Sequence, residues 1–215
     1  MPFSSSSRSG CMRGRVAALA GLGLALALLS ACASPAAKIY TLAAQSGQKV
    51  AGRPVSVSIE TVDVAKYLDR PQLVRRSGDV QLGVSEFERW GEPMGSMVQR
   101  VLAENLRRRL PAGSLVTTSQ TVSGKEAATL ELSVSRFDTN AEGVVMLQAQ
   151  WRLHYRNGGR GAAAQASIAV PPAETGAPAQ VEAMSSALDQ LAGHIAAKLG
   201  REQELLRPIR SHRRF

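Results

Sequence analysis

Val145-Met146-Leu147-Gln148-Ala149-Gln150-Trp151-Arg152-Leu153-His154-Tyr155 is the stretch that decides the fold. Val145, Leu147, Ala149, Trp151, Leu153 and Tyr155 alternate with Gln148, Gln150, Arg152 and His154. A period of two gives an extended chain one apolar and one polar face, which describes a half-buried strand. Asn157-Gly158-Gly159 follows as a turn signal, and the alanine-rich run to Val170 is expected to return as a further strand. Just upstream, Leu130, Leu132 and Val134 alternate with Glu131, Ser133 and Ser135 in the same way.

Further out, Val55, Val57 and Ile59 alternate with Ser56, Ser58 and Glu60, while Leu73-Val74 and Val80-Gln81-Leu82 flank Ser77-Gly78 as a hairpin. Ile39-Tyr40-Thr41-Leu42 reads as a first small strand. Ser85 followed by Glu88 has the form of a capping box and predicts a helix start, with Phe87 and Trp90 on one side of its opening turn. Pro93 suits the first turn of a new helix. From there Met94, Met97, Val98, Val101, Leu102 and Leu106 recur at three- and four-residue steps until Pro111 and Gly113. A last helix carries Val181, Met184, Leu188, Leu191, Ile195 and Leu199 along one face. Two groups of strands, each followed by one long helix, predict a single α+β domain with a mainly antiparallel sheet.

The first 31 residues differ from everything after them. Arg8, Arg13 and Arg15 precede an uncharged apolar run from Val16 to Leu29, and Met12 heads a more compact version of the same signal. That run suits a signal-peptide h-region and is short for a bilayer span. Leu29-Ser30-Ala31-Cys32 then has the form of a lipobox, which places cleavage between Ala31 and Cys32 and acylation on the Cys32 thiol. The alternative is an ordinary signal peptide with Cys32 as a bystander. The other cysteine, Cys11, lies in the segment to be removed, so the mature chain keeps one thiol and forms no internal disulfide. Ala33, rather than an Asp, follows the cysteine, which points to the outer membrane and its periplasmic face.

The formal charge of +9 is partly a property of this leader, since removing its three arginines leaves +6. An exported chain meets no cytoplasmic DNA, so no nucleic-acid partner is expected. Residues 32–53 read as a lipidated cysteine and tether, 54–200 as the domain, and 201–215 as a basic tail. That tail, with Arg207, Arg210, Arg213 and Arg214, is either a solvated terminus or a contact for anionic headgroups.

Groups that carry chemistry are sparse. His154 lies on the polar face of a strand and His194 beside the apolar face of a helix, neither with a second ligand at metal spacing. There is no Gly-x-Ser-x-Gly elbow and no phosphate-binding loop. Asp63, Asp69, Glu86, Glu88 and Glu92 are scattered acids, more consistent with a solvated surface than with a catalytic pair. No metal, cofactor or enzymatic activity is expected; the chain reads as one that binds or connects.

One series of motifs resembles a known family. Tyr67-Leu68-Asp69-Arg70-Pro71-Gln72-Leu73-Val74 is followed by Phe87-Glu88-Arg89-Trp90-Gly91-Glu92-Pro93-Met94 and by Val101-Leu102-Ala103-Glu104-Asn105-Leu106. Together with Tyr40-Thr41-Leu42, Arg136-Phe137-Asp138 and Gln150-Trp151, this order is similar to the PqiC-type family of ABC-type transport auxiliary lipoproteins. Gly91 and Met94 stand where the family often has alanine and leucine, and the region from Asn157 to Thr175 carries no family motif. The resemblance implies an outer-membrane subunit that docks an MCE-domain protein reaching across the periplasm, for phospholipid traffic and envelope integrity. Since MCE proteins commonly form rings, it also implies a matching homo-oligomer. Trp90 and Pro93 are expected to build the fold, with Arg89 pairing Glu92 or Asp69. Tyr67, Asp69, Arg70 and Arg89 are the candidate docking residues. A free-standing carrier of lipid or another hydrophobic ligand is the alternative. It needs an apolar pocket of several hundred cubic ångströms, for which 4% aromatic residues and one apolar stripe per helix argue poorly.

Overall fold

A twelve-residue strand at the centre of the sheet organises the fold of the computed structural model, which describes residues 35–118, 128–156 and 161–205. In chain order the strands are β1 (Lys38–Tyr40), β2 (Ser56–Ile59), β3 (Asp63–Val64), β4 (Gln72–Arg76), β5 (Leu82–Trp90), β6 (Leu115–Thr117), β7 (Ala128–Thr139), β8 (Val145–Tyr155) and β9 (Ala162–Val170). The helices are α1 (Met94–Arg109) and α2 (Ala177–Leu205), and a 3-10 turn covers Lys66–Leu68. All of these fall within one compact unit, residues 37–215.

β8 runs antiparallel to β7 along one edge, and β9 antiparallel to β8 beyond it. The other edge of β7 is covered by three short pieces laid end to end and parallel to it. β2 meets Ala128 to Leu130, β3 meets Ser133 and Val134, and β4 meets Thr139. β6 extends β2 in parallel, β5 returns antiparallel to β4, and β1 lies parallel to β5. The fold is therefore α+β as expected, but the sheet is not mainly antiparallel: five of its eight strand pairings are parallel. Alternation fixes which side of a strand is apolar and says nothing about the direction of its neighbour.

The capping-box expectation also fails. Residues 82–90 form one strand, and the pairing of β5 with β4 slips between Gln72 and Val74, so that β5 carries extra residues there. Ser85 still donates to Glu88 Oε2 at 3.0 Å, but across this irregularity and not at a helix start. Pairing with β4 and β1 holds the backbone extended, which outweighs the local preference. The Ser77-Gly78 hairpin forms as expected, closed by Ser77 N–H donating to the Gln81 carbonyl at 3.1 Å. The returning strand to Val170 is β9; the Asn157-Gly158-Gly159 turn lies outside the described residues.

Both helices cover one side of the sheet. The expected stripe of α1 is buried to the last member, with Met94, Met97, Val98, Val101, Leu102 and Leu106 at 1% exposure or less. The α2 stripe from Val181 to Leu199 is buried too. Arg109, at the end of α1, reaches α2 through a two-pronged contact with Asp189, at 3.2 and 2.5 Å. Gln148, Gln150, Arg152 and His154 on the opposite side of the sheet stay exposed. The stretch read as a tether is not loose from Lys38 onward. Leu42 is buried, and the backbone N–H groups of Ala43, Gln45 and Val50 donate to Ser185, Asn105 and Arg109 of the two helices.

Candidate functional site: a motif groove and a buried carboxylate

β7 carries a one-residue register shift between Val134 and Arg136. An extra residue exchanges the two faces of a strand. Before the shift the even positions Leu130, Leu132 and Val134 face the core; after it Phe137 does. Arg136 and Asp138 thus fall on the side away from the helices. The same alternation separates Arg75, which donates to Gln180 of α2 at 2.7 Å, from Arg76 on the opposite face.

Asp138 is completely buried there. Its Oδ2 accepts from Tyr67 Oη at 2.6 Å and from Arg76 Nε at 3.1 Å, while Oδ1 accepts from Arg136 Nε at 2.9 Å. Arg76 also lies 5.5 Å from the centre of the Tyr67 ring, within cation–π range. Two guanidiniums and a hydroxyl make a buried carboxylate tolerable, since an unpaired one is prohibitively costly. Burial, and then donation to Asp138, push the Tyr67 phenol up to about 12. Tyr67 is half-buried, and its hydroxyl is committed inside the fold.

The rest of that motif turns outward. After the 3-10 turn, Asp69 N–H donates to the Lys66 carbonyl at 3.2 Å and Arg70 N–H to the Leu68 carbonyl at 2.9 Å. Trp90 N–H donates to the Pro71 carbonyl at 2.6 Å and Gly91 N–H to the Tyr40 carbonyl at 2.9 Å, which ties the two motif segments and β1 together. Between them runs a surface groove of about 320 Å³, lined by Asp69, Arg70, Pro71, Trp90, Gly91, Glu92 and Pro93. Trp90 itself is buried in the core, as expected.

Of the four candidate docking residues, Asp69 and Arg70 line the groove and Tyr67 faces Asp138. Arg89 is exposed on β5, where its Nε donates to the Glu86 carbonyl at 3.4 Å. Arg89 pairs with neither of its expected partners, Glu92 or Asp69; Glu92 takes Arg100 of α1 instead. Ala31 and Cys32 lie outside the described residues. Arg76 and Asp138 were not among the candidates. The signal for Asp138 is its place in the Arg136-Phe137-Asp138 motif, an acid directly after a core Phe.

Among the described residues no group of three or more His, Cys, Asp or Glu could hold a metal ion. His154 Nε2 instead lies 3.0 Å from Glu131 Oε1 on the open sheet face, and His194 is exposed. No helix among the described residues is long and apolar enough to cross a membrane.

Residues 40–196 match the family model described as "ABC-type transport auxiliary lipoprotein component". The chain is 28% identical over 98 residues to "Intermembrane transport lipoprotein PqiC" of Escherichia coli (strain K12), over 46% of this chain and 51% of that one. The protein of the same description in Shigella flexneri matches to the same extent. This chain therefore spans about half the length of the curated relatives it matches. A solved structure described only as an uncharacterized protein superposes with a TM-score of 0.67 at 22% identity, covering 77% of this chain and 99% of its own. Protein XCC0632 from Xanthomonas campestris superposes with a TM-score of 0.66 at 17% identity, covering 79% and 98%. At these identities the two structures establish a shared fold.

Proposed function

The chain belongs to the ABC-type transport auxiliary lipoprotein component family, and from that premise we propose that it is the outer-membrane docking subunit of an envelope transport system. In this reading Cys32 is acylated after cleavage behind Ala31, and the domain faces the periplasm. Its partner is an MCE-domain protein that carries phospholipid between the membranes, and a ring of copies matches the partner's own ring. The name of the curated relatives, intermembrane transport lipoprotein, supports this direction. The family is a transport auxiliary and not an enzyme class.

One observation carries the docking role. The two family segments 67–74 and 87–94 meet at the surface in a groove where Asp69 and Arg70 are exposed and Glu92 is half-buried. Tyr67 and Trp90 of the same segments serve the interior. Asp69 and Arg70 take no part in the core, so the docking reading gives these members of the family segments a role that packing does not. An exposed guanidinium over a groove walled by Trp90 suits a protein partner, since Arg and Trp are enriched at interfaces.

The carrier alternative finds less support. A cleft of about 490 Å³ crosses the open sheet face, where Leu132, Trp151 and Ala164 share the lining with the charged Asp63, Glu131 and Arg152. Apolar cargo prefers an apolar lining.

The test is affinity purification of the full-length lipoprotein from gently solubilised envelopes, with mass spectrometry of what accompanies it. An MCE-domain protein is expected, and it is lost in the Arg70→Glu/Arg89→Glu variant and in Cys32→Ala. Failure to recover any transport component after crosslinking sinks the docking role. Stoichiometric phospholipid on detergent-free protein favours the carrier.

A further inference from the structure

Six large apolar side chains stand exposed among the described residues, and four of them belong to the β4–β5 hairpin. Val80 at the tip of the β4–β5 hairpin is 97% exposed. Leu82, Val84 and Phe87 follow along β5 at 38–42%; Ile39 of β1, 63% exposed, lies further on, opposite Arg89. Leu82 and Val84 are two residues apart, so they point to the same side of the strand. The hairpin is an ordered projection. Arg76 Nη1 donates to the Asp79 carbonyl at 3.3 Å across its turn, and Gly78 has open space where a side chain would start. Apolar side chains gathered on a projecting hairpin mark a contact surface.

Chain direction identifies what covers it. β5 runs away from the hairpin tip, and β1 is parallel to β5, with Lys38 opposite Glu88. The chain therefore enters β1 from the side of the tip. Cys32 is six residues before Lys38, a reach of at most about 22 Å, and Leu82 lies as many residues before Glu88. An acyl anchor on Cys32 can thus bring a lipid surface as far as the hairpin. The opposite end of the sheet, where β6 begins at Leu115, is further away by most of the length of β7. Asp79 and Glu86 on the hairpin offset Lys38 and Arg89, so charge does not select the surface; apolar burial does.

We infer that the β4–β5 hairpin, with Val80, Leu82, Val84 and Phe87, seats in the bilayer beside the acyl anchor and fixes the orientation of the domain on the membrane. This rests on the acylation of Cys32 in the reading above. A single flexible tether would leave the motif groove pointing anywhere; a second contact at the hairpin gives the domain a defined stance.

The mature chain has no thiol besides Cys32, so one introduced cysteine reports one position. Val80→Cys and, as control, Ala112→Cys in the exposed loop before β6 are labelled with the environment-sensitive fluorophore NBD on the lipidated protein. They are reconstituted in phosphatidylethanolamine–phosphatidylglycerol vesicles, with or without doxyl-labelled lipid. The label at position 80 is expected to shift to the blue and lose most of its emission to doxyl lipid, whereas the label at 112 does neither. A water-like, unquenched signal at both sites overturns the inference while leaving acylation intact. A blue shift at 80 that doxyl lipid does not quench, and that grows with protein density, assigns the hairpin to a second copy and also overturns it. Intact mass without acyl chains, with a second label on Cys32, removes the acylation reading and this inference with it.

Discussion

Replacing Asp138 by alanine tests whether the motif residues converge on a structural keystone. The carboxylate is fully buried and accepts from three donors, and its removal strands two guanidiniums and a phenol. Deleting one partner of a buried ion pair costs about 3–5 kcal/mol. Here the Arg76 and Arg136 side chains keep 23% and 22% of their surface exposed, so each can turn partly to water, and the low end applies. About 3 kcal/mol should lower the melting temperature by roughly 6–12 °C for a domain of this size. With a urea slope of about 2 kcal/mol/M, the midpoint should fall by about 1.5 M.

The double-mutant cycle sharpens the test. Tyr67→Phe alone leaves Asp138 ion-paired and removes one hydrogen bond to a charged group, a cost of about 1.5 kcal/mol. In the Asp138→Ala background the phenol has no acceptor to lose, so the same change should cost close to nothing. The coupling energy is then about 1.5 kcal/mol. A loss below about 0.5 kcal/mol for Asp138→Ala, or an equal cost of Tyr67→Phe in both backgrounds, would refute the arrangement and return Tyr67 to the list of docking residues.

Three further outcomes follow from the same geometry. The Tyr67 phenol is held up near 12 against an ordinary 10, so the fold binds this proton more tightly than the unfolded chain. Its contribution is complete below pH 10 and is lost as pH rises through 12; urea melts of wild type and Tyr67→Phe should converge across that window. Trp90→Ala should cost about 3–5 kcal/mol by emptying a buried site, whereas Arg70→Glu on the exposed groove rim should leave the melting temperature nearly unchanged. Calorimetry on both separates folding from docking. Gly95→Ala should destabilise by about 1 kcal/mol or more, although alanine is normally the better helix residue, because its Cβ would stand 2.9 Å from the Val62 carbonyl oxygen.

What was legible in the sequence was the pattern within each element. The stripes of α1 and α2 and the alternation of β7 and β8 are burial patterns, and burial is what periodicity encodes. Between elements, sequence spoke only through turns, in the Ser77-Gly78 hairpin and the return to Val170. β2, β3 and β4 are short, and nothing in Val57, Val64 or Arg75 announces that they lie along the same edge of β7, pointing the same way. The segment 82–90 shows the opposite failure: a local signal was present and overruled. Ser85 and Glu88 meet side chain to side chain, not through the backbone N–H groups a capping box uses, and strands on both sides of β5 hold the backbone extended.

The site was half legible for a related reason. Segments 67–74, 87–94 and 136–138 were recognisable as motifs, but their division of labour depends on a register shift in β7 that no residue pattern announces. That shift turns Asp138 away from the helix layer, under Tyr67 and Arg76. Folding and docking are then not rival explanations of the same motif. Tyr67 anchors the start of the Asp69-Arg70-Pro71 turn to β7 through Asp138, and Trp90 anchors its other wall in the core. The exposed pair Asp69 and Arg70 is thereby held between two fixed points. A rigid rim is what a docking surface needs if recognition is not to lose its gain in ordering side chains. In the proposed docking role, the buried residues contribute through the stiffness they lend the exposed ones. Tyr67→Phe/Asp138→Ala should therefore weaken partner recovery even at temperatures where the domain remains folded.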